Sequence, residues 1–209
     1  MGGAPGEAAG PEREKLSDEL GRWLGSPGEK TLGSLIELFE KKSFAILFVL
    51  LLGPSALPLP TGGATHVFEL IAILLALQLI VGRDEIYLPQ RWRRLELAGE
   101  KRQRLLAALL KVIRWLEHFS APRLSFLFAH RLSNIGFGAL VIAGCLGAFL
   151  APPFSGLDTL PSLGVVLLSL GVLAEDFAGV VLGIVIVATG ILLEIVLGRA
   201  AIHGLRSIF

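Results

Sequence analysis

Long apolar runs alternate with short polar or Pro/Gly-rich stretches along this chain of 209 residues. Between Ser43 and Gly82 the only charged residue is Glu69, and the stretch from Leu132 to Leu157 carries no charge. A helix needs roughly 20 apolar residues to cross a bilayer. The pattern therefore predicts an all-α, polytopic helical membrane protein, because the helices of a soluble bundle would need polar faces that these segments lack.

Two Pro/Gly-rich stretches, residues 53–63 and 150–156, interrupt the apolar runs. Proline lacks a backbone donor and blocks helix continuation, so a helix must end at each break. The apolar segments on either side of the first break, 44–52 and 66–82, are short for a full crossing. Two interpretations stay open. The breaks are turns at the membrane surface, or they belong to re-entrant helices, whose irregular backbone needs protein or water around it.

The two breaks fall in the same register when the chain is shifted by 93 residues, which pairs Pro60 with Pro153 and Gly63 with Gly156. We infer an internal two-fold repeat, and proteins of this kind commonly place their working site where the broken segments meet. The predicted organisation is a flexible N-terminus with a short amphipathic helix (1–30) and a single membrane domain (31–209), which comprises repeat 1 (31–94), an amphipathic connector (95–123), repeat 2 (124–187) and a C-terminal membrane helix to residue 206.

The net charge is only +1, but its distribution is uneven. Residues 83–131 carry eleven Lys/Arg against five Asp/Glu, which places this segment on the cytoplasmic side by the positive-inside rule. Such an excess indicates membrane topology and anionic headgroups. It does not indicate nucleic acid, because no nucleic-acid-binding fold is recognisable.

The helix predicted at 100–119 is amphipathic, with a leucine-rich stripe opposite a cationic face. This pattern is typical of a basic helix lying in the membrane interface, and docking on a neighbouring helix is the alternative. Aromatic and basic residues before it suit the same interface. The predicted lipid-binding residues are Arg91, Trp92, Arg93, Arg94, Lys101, Arg104, Lys111 and Arg114.

Catalytic and metal-binding motifs are not found, so the sequence favours a protein that is not an enzyme and predicts no cofactor and no metal site. The four histidines show no metal-ligand spacing, and no carboxylate partner is predicted for them. Glu69 and Glu194 are the ionisable groups inside apolar helices, where a carboxylate is costly and is by default a functional candidate. Each also lies near a helix end and could reach the interface. The predicted central site comprises Pro58, Pro60, Gly62, Gly63, Glu69, Gln78, Pro153 and Gly156.

Several stretches together resemble the ExoD family. The likeness covers roughly residues 30–200 and is carried by the combination of motifs. These are the run from Thr31 to Glu40, Gly53-Pro54-Ser55-Ala56-Leu57-Pro58-Leu59-Pro60, Ala76-Leu77-Gln78-Leu79-Ile80-Val81-Gly82-Arg83, Tyr87-Leu88-Pro89, Pro122-Arg123-Leu124-Ser125 and the run from Leu160 to Leu173. The broken loop of the second half, Ala151 to Thr159, departs from the first, because it carries Asp158 and lacks the Pro-x-Pro pattern.

The resemblance implies a bacterial inner-membrane protein linked to exopolysaccharide synthesis, and it names a process rather than a reaction. Our first hypothesis is a transporter-like or accessory component with its site at the two breaks. The alternative is a structural partner that helps a polysaccharide synthesis or export machine assemble through the basic helix. The expected partners are the lipid bilayer, a second copy of the chain, favoured by the close helix contact that the Gly179–Gly183 spacing allows, and polysaccharide synthesis components.

Overall fold

Helices make up the regular structure in the computed structural model. The described residues are 16–28, 30–39, 42–57, 65–83, 86–94, 96, 99, 104, 106–111, 113–114, 131–151 and 156–206. The helices among them are α1 (Leu16–Gly25), α2 (Leu32–Phe39), α3 (Ser43–Leu52), α4 (Thr65–Val81), α5 (Gln90–Arg93), α6 (helical residues within 104–114), α7 (Arg131–Leu150), α8 (Thr159–Leu173) and α9 (Phe177–Arg206). The prediction of an all-α fold is confirmed for these residues, where an isolated bridge between Thr31 and Glu96 is the only strand-like pairing.

Among the described residues, two helices are long and apolar enough to cross a membrane by length and composition, namely Arg131–Leu150 with 20 residues and Phe177–Ala200 with 24. The other apolar helices, α3, α4 and α8, have 10, 17 and 15 residues. At 1.5 Å per residue, the longest of these three measures about 25 Å, less than a hydrocarbon core of about 30 Å.

Helix boundaries follow local chemistry. Thr31 caps α2 as its sequence predicts, because the Ser34 backbone N–H donates to Thr31 Oγ1 at 3.2 Å. Asp176 caps α9 in the same way, since its Oδ2 accepts from the Gly179 N–H at 2.9 Å. Helix α8 begins at Thr159, and Pro161 lies in its first turn. Proline is tolerated there because N–H groups in the first turn have no intrahelical partner.

Neighbouring apolar helices run in alternating directions. A Cβ built on Gly138 of α7 would lie 3.1 Å from the Ala76 carbonyl of α4, and farther along α7 the Phe149 ring contacts His66, so these two helices are antiparallel. Lys42, just before α3, donates to the Leu173 carbonyl at the end of α8 at 3.1 Å, so α3 and α8 are antiparallel as well.

Helix α9 packs closely on α8 through glycines. A Cβ on Gly164 would lie 2.5 Å from Val187 N, and one on Gly183 would lie 2.4 Å from Leu168 N. The backbones therefore touch with no side chain between them. Gly179 also faces α8, since a Cβ built on it would lie 3.0 Å from Gly171 Cα. The GxxxG spacing thus serves a contact within the chain, and the homodimer stays a prediction.

These directions gather both helix breaks at one end of the bundle, which we call the break end. It contains the C-terminal ends of α3 and α7, the N-terminal ends of α4 and α8, and the part of α9 near Gly190, where a Cβ would lie 2.8 Å from the Pro161 ring. At the opposite end, a Cβ on Gly82 would lie 3.7 Å from Arg131 Nε. The chain therefore leaves for the connector and returns from it at nearly the same point.

The internal repeat stays a prediction, although the helix bounds agree with it in part. Shifted by 93 residues, α4 would cover 158–174, and α8 covers 159–173. Helix α3 would cover 136–145, whereas α7 covers 131–150 and is longer at both ends.

The apolar side of α6 lies against the protein. Leu106, Leu109 and Ile113 are at most 5% exposed, and they belong to the same apolar core as Leu20 of α1. This favours docking on neighbouring helices over insertion of that side into lipid.

Candidate functional site

Glu69, a predicted site residue, lies on the first turns of α4 and is completely buried. Its Oε2 is 2.8 Å from His66 Nδ1, one turn earlier on the same helix. Its other oxygen, Oε1, is enclosed and has no hydrogen-bond partner in the described part of the chain. Of the two interpretations open to the sequence, the one in which Glu69 reaches the interface is thus not supported.

The His66–Glu69 pair corrects the expectation that no histidine has a carboxylate partner. The spacing i, i+3 places both side chains on one face of α4, so the signal was present in the sequence. The imidazole ring also contacts Phe149 edge-to-face, with ring centroids 5.1 Å apart. Contacts from two helices therefore hold His66 beside the carboxyl group.

Glu194 of α9 approaches the same region. Its Oε2 lies 3.3 Å from where a Cβ of Gly147 would be, and its Oε1 is enclosed without a hydrogen-bond partner among described residues. Only glycine at position 147 leaves this space open, because a side chain there would also press on Ile191, 3.0 Å away.

Glu69, Glu194 and Asp158 are close enough to one another for their charges to interact. Asp158 immediately precedes α8, and Cys145 on α7 is within electrostatic range of Glu69. Four separate elements therefore bring acidic or polar groups together at the break end. The sequence offered no signal for this convergence, because it depends on how α4, α7, α8 and α9 pack.

Two buried hydroxyl groups lie at the break end. Ser55 and Ser162 are 2% and 1% exposed, and neither Oγ has a hydrogen-bond partner in the part of the chain that the structure describes. Ser55 follows α3, and Ser162 is on the first turn of α8. Buried polar atoms are nearly always satisfied in proteins, so unsatisfied ones are a reason to look for water or a ligand.

The break residues themselves are only partly described. Gly156 has φ = +69°, a conformation that glycine adopts without strain, and it lies two residues before Asp158. Pro58, Pro60, Gly62, Gly63 and Pro153 lie outside the described residues, and their place in the site stays a prediction.

Gln78 does not lie with the other predicted site residues. It is nine residues from Glu69 on α4, about 13 Å along the helix, at the end opposite the breaks. Its Oε1 accepts from the Tyr87 N–H at 2.8 Å, and its Nε2 donates to the Tyr87 carbonyl at 3.4 Å. Gln78 therefore fixes the chain after α4, in place of the predicted role in the central site.

The predicted lipid-binding residues form an exposed set away from this cluster. Arg93 pairs with Glu37 at 3.2 Å, and their side chains are 41% and 71% exposed. Arg91, Arg94, Arg104, Lys111 and Arg114 are exposed, and Trp92 is half-buried. Lys101 lies outside the described residues.

The geometry does not favour metal coordination. No group of three or more His, Cys, Asp or Glu side chains among the described residues is close enough to hold a metal ion. The cluster is instead suited to holding a small polar ligand or a proton between carboxyl groups in apolar surroundings.

The comparisons with known proteins agree on one family. The family model described as "Exopolysaccharide synthesis, ExoD" matches residues 16–196. The chain is 31% identical to the Uncharacterized protein slr1875 of Synechocystis sp. (strain ATCC 27184 / PCC 6803 / Kazusa) over 145 residues, covering 69% of this chain and 68% of that protein. It is also 31% identical to Protein ExoD of Rhizobium meliloti (strain 1021) over 172 residues, covering 80% of this chain and 70% of that protein.

No solved structure matches significantly. The family match nevertheless includes the helices on both sides of both breaks, together with Glu69, Asp158 and Glu194. The resemblance inferred from the sequence motifs is confirmed, and this chain belongs to the ExoD family of exopolysaccharide synthesis proteins.

Proposed function

We propose that this ExoD-family chain is a protein of the bacterial inner membrane that acts in exopolysaccharide synthesis as a transporter-like component. Its working site would be the acidic cluster of Glu69, Glu194 and Asp158 at the break end. The observation that carries the proposal is the enclosure of Glu69 and its unpartnered Oε1 inside an apolar helix. A buried charged group is costly, so its retention favours a functional role.

The helix lengths support re-entrant breaks. The apolar stretch of α9 between Asp176 and Arg199 contains 22 residues, or about 33 Å of helix. Pro161 lies opposite Gly190, so α8 begins opposite residue 192 of α9. Residue 192 lies seven residues, or about 10 Å of helix, before Arg199. If α9 spans the membrane, the second break then lies below the surface, where irregular backbone typically lines a cavity.

The positions of the helix ends also bear on how the protein would be oriented in the membrane. Both ends of the basic segment 83–131 lie at the end opposite the breaks, so the positive-inside rule would put that end in the cytoplasm. The acidic cluster would then be nearer the outer face of the membrane. Helices α3 and α7 run in one direction and α4 and α8 in the other, which favours two parallel repeats over inverted ones.

Replacing Glu69 tests the proposed site directly. In a strain lacking its own copy, the E69Q variant should restore no more exopolysaccharide than the empty vector, because glutamine keeps the shape but cannot ionise. The secreted polysaccharide would be quantified alongside the protein level in the membrane fraction. The matched control is E37Q, whose parent side chain is 71% exposed. Full production by E69Q at normal protein level would contradict the proposal.

A second candidate function is assembly with polysaccharide synthesis or export components through α6. Its support is the exposure of Arg104, Lys111 and Arg114 while the apolar side of the same helix is buried. An exposed cationic surface on a docked helix can contact an acidic partner or anionic headgroups. Each basic residue near an anionic membrane surface contributes about 1 kcal/mol.

The triple variant R104Q/K111Q/R114Q separates the two candidates. Under the site proposal it should keep exopolysaccharide production, because none of the three side chains lies at the break end. The measurement is the same polysaccharide assay, with the thermal midpoint of the purified protein as a check on folding. A folded triple variant that makes no polysaccharide, beside an active E69Q, would favour assembly.

A further inference from the structure

The acidic cluster contains more negative groups than the described positive groups can balance. Glu69 and Glu194 each have an enclosed oxygen without a hydrogen-bond partner among described residues, and Asp158 acts on both. Among the described residues, the basic group in contact with the cluster is His66, whose Nδ1 lies beside Glu69. Arg199 is five residues beyond Glu194 on α9, about 7.5 Å along the axis. Helices α7 and α8 contribute Cys145 and Asp158 as their titratable groups facing this region.

The parts of the breaks outside the described residues add no ionisable side chain of their own. Residues 58–64 and 152–155 contain no ionisable side chain in the sequence. The cluster therefore cannot be neutralised from within the breaks. Like charges repel strongly in apolar surroundings, where an effective dielectric constant well below that of water amplifies Coulomb interactions. A bound cation, or a proton on one of the two carboxyl groups, would relieve the repulsion between Glu69 and Glu194.

The geometry favours a proton over a metal ion as that ligand. Hard cations take about six oxygen ligands in direct contact, and no such group of side chains occurs among the described residues. A proton binds to one carboxylate oxygen and then needs only one hydrogen-bond acceptor nearby. The His66–Glu69 distance of 2.8 Å suits either an imidazole N–H donating to a carboxylate or a carboxyl O–H donating to neutral imidazole.

We propose that Glu69, His66 and Glu194 form a proton-binding site in which the two carboxyl groups hold one exchangeable proton. The buried Ser162 hydroxyl, 1% exposed and unpartnered among described residues, provides an independent polar group at the same level of the bundle. The inference rests on the proposed function for its biological role. The proton would be the coupling ion of the transporter-like activity, taken up on one side of the membrane and released on the other.

Carbodiimide labelling tests this site on the unmodified protein. Dicyclohexylcarbodiimide enters apolar regions and reacts with protonated carboxyl groups, so peptide mapping by mass spectrometry identifies the protonated residue. We expect an adduct on Glu69 or Glu194 that diminishes as the pH is raised from mildly acidic to alkaline. Glu175 is the internal control, because it pairs with Lys42 at 2.9 Å and should stay unlabelled.

Sodium and potassium chloride, added at constant pH, distinguish a proton from a metal cation. Labelling that is unaffected by either salt supports a proton, whereas protection by one of them overturns the proposal in favour of that cation. Absence of any adduct on Glu69 and Glu194 across the pH range also overturns it. E194Q serves as a second check, since removing one carboxyl group should move the pH at which Glu69 labelling is lost.

The labelling result and the polysaccharide assay can fail separately. Loss of polysaccharide in E69Q without carbodiimide labelling would leave the proposed function standing and remove the proton site. Labelling in a protein whose E69Q variant makes normal polysaccharide would keep the proton site and remove the proposed function.

Discussion

Replacing Gly183 with alanine is expected to destabilise the folded chain by about 1–3 kcal/mol, the usual cost of overpacking a close contact. The added methyl carbon would lie 2.4 Å from Leu168 N and 2.5 Å from Leu168 Cα. Both are backbone atoms of α8, so no side chain can rotate away to make room. The two helices must separate, and this would displace α9 and the Glu194 carboxyl group with it.

The measurement is the thermal midpoint of the purified protein in detergent, compared with G198A. Gly198 is on the same helix, and a Cβ there would have no atom within 4 Å. Alanine at 198 should therefore be neutral or slightly stabilising, since alanine favours helix over glycine by up to about 1 kcal/mol. Equal midpoints for the two variants would show that α8 and α9 do not make this backbone contact.

Replacing Glu194 with leucine is expected to have opposite effects on stability and on function. The enclosed Oε1 has no hydrogen-bond partner among described residues and lies in range of two further acids. A buried polar atom without a partner costs about 1–3 kcal/mol, so an apolar side chain of similar size should raise the free energy of unfolding by a comparable amount. Exopolysaccharide production should nevertheless be lost, because functional sites are commonly held at a cost to stability.

The comparison variant for this experiment is E194Q. Glutamine stays polar, so its thermal midpoint should lie near that of the parent protein, while polysaccharide production should fall as in E194L. A lower midpoint for E194L than for E194Q would mean that the carboxylate is satisfied in the folded protein. The argument for a ligand at the break end would then lose its basis.

The apolar runs predicted the helices well because length and charge depletion determine where a helix of this kind can exist. Breaks at proline and glycine located the ends of α3 and α7, and the family resemblance followed from motifs beside those breaks. Helix α9 extends to Arg206 because Arg199, Ala200 and Ala201 are good helix formers and no proline interrupts this stretch.

The site was predicted less completely than the fold. Glu69 could be singled out because a lone charge in an apolar helix is conspicuous in a sequence, and its role in a site stays a prediction. Its partner His66 was missed although the spacing was visible. The approach of Glu194 depends on contacts of α9 with Gly147 and Pro161, which no local pattern contains. Gln78 was misplaced because a polar residue near a helix end looks alike whether it lines a site or binds a neighbouring loop.

The closeness of Gly82 and Arg131 has an evolutionary and practical consequence. The connector begins and ends at one point, so its length and sequence can change without forcing the flanking helices apart. The same geometry makes it a natural place to divide the gene. Two separately expressed fragments, one ending after α4 and the other beginning with α7, would keep every contact between α4 and α7 available for reassembly. Relatives with connectors of different size could exchange them as modules.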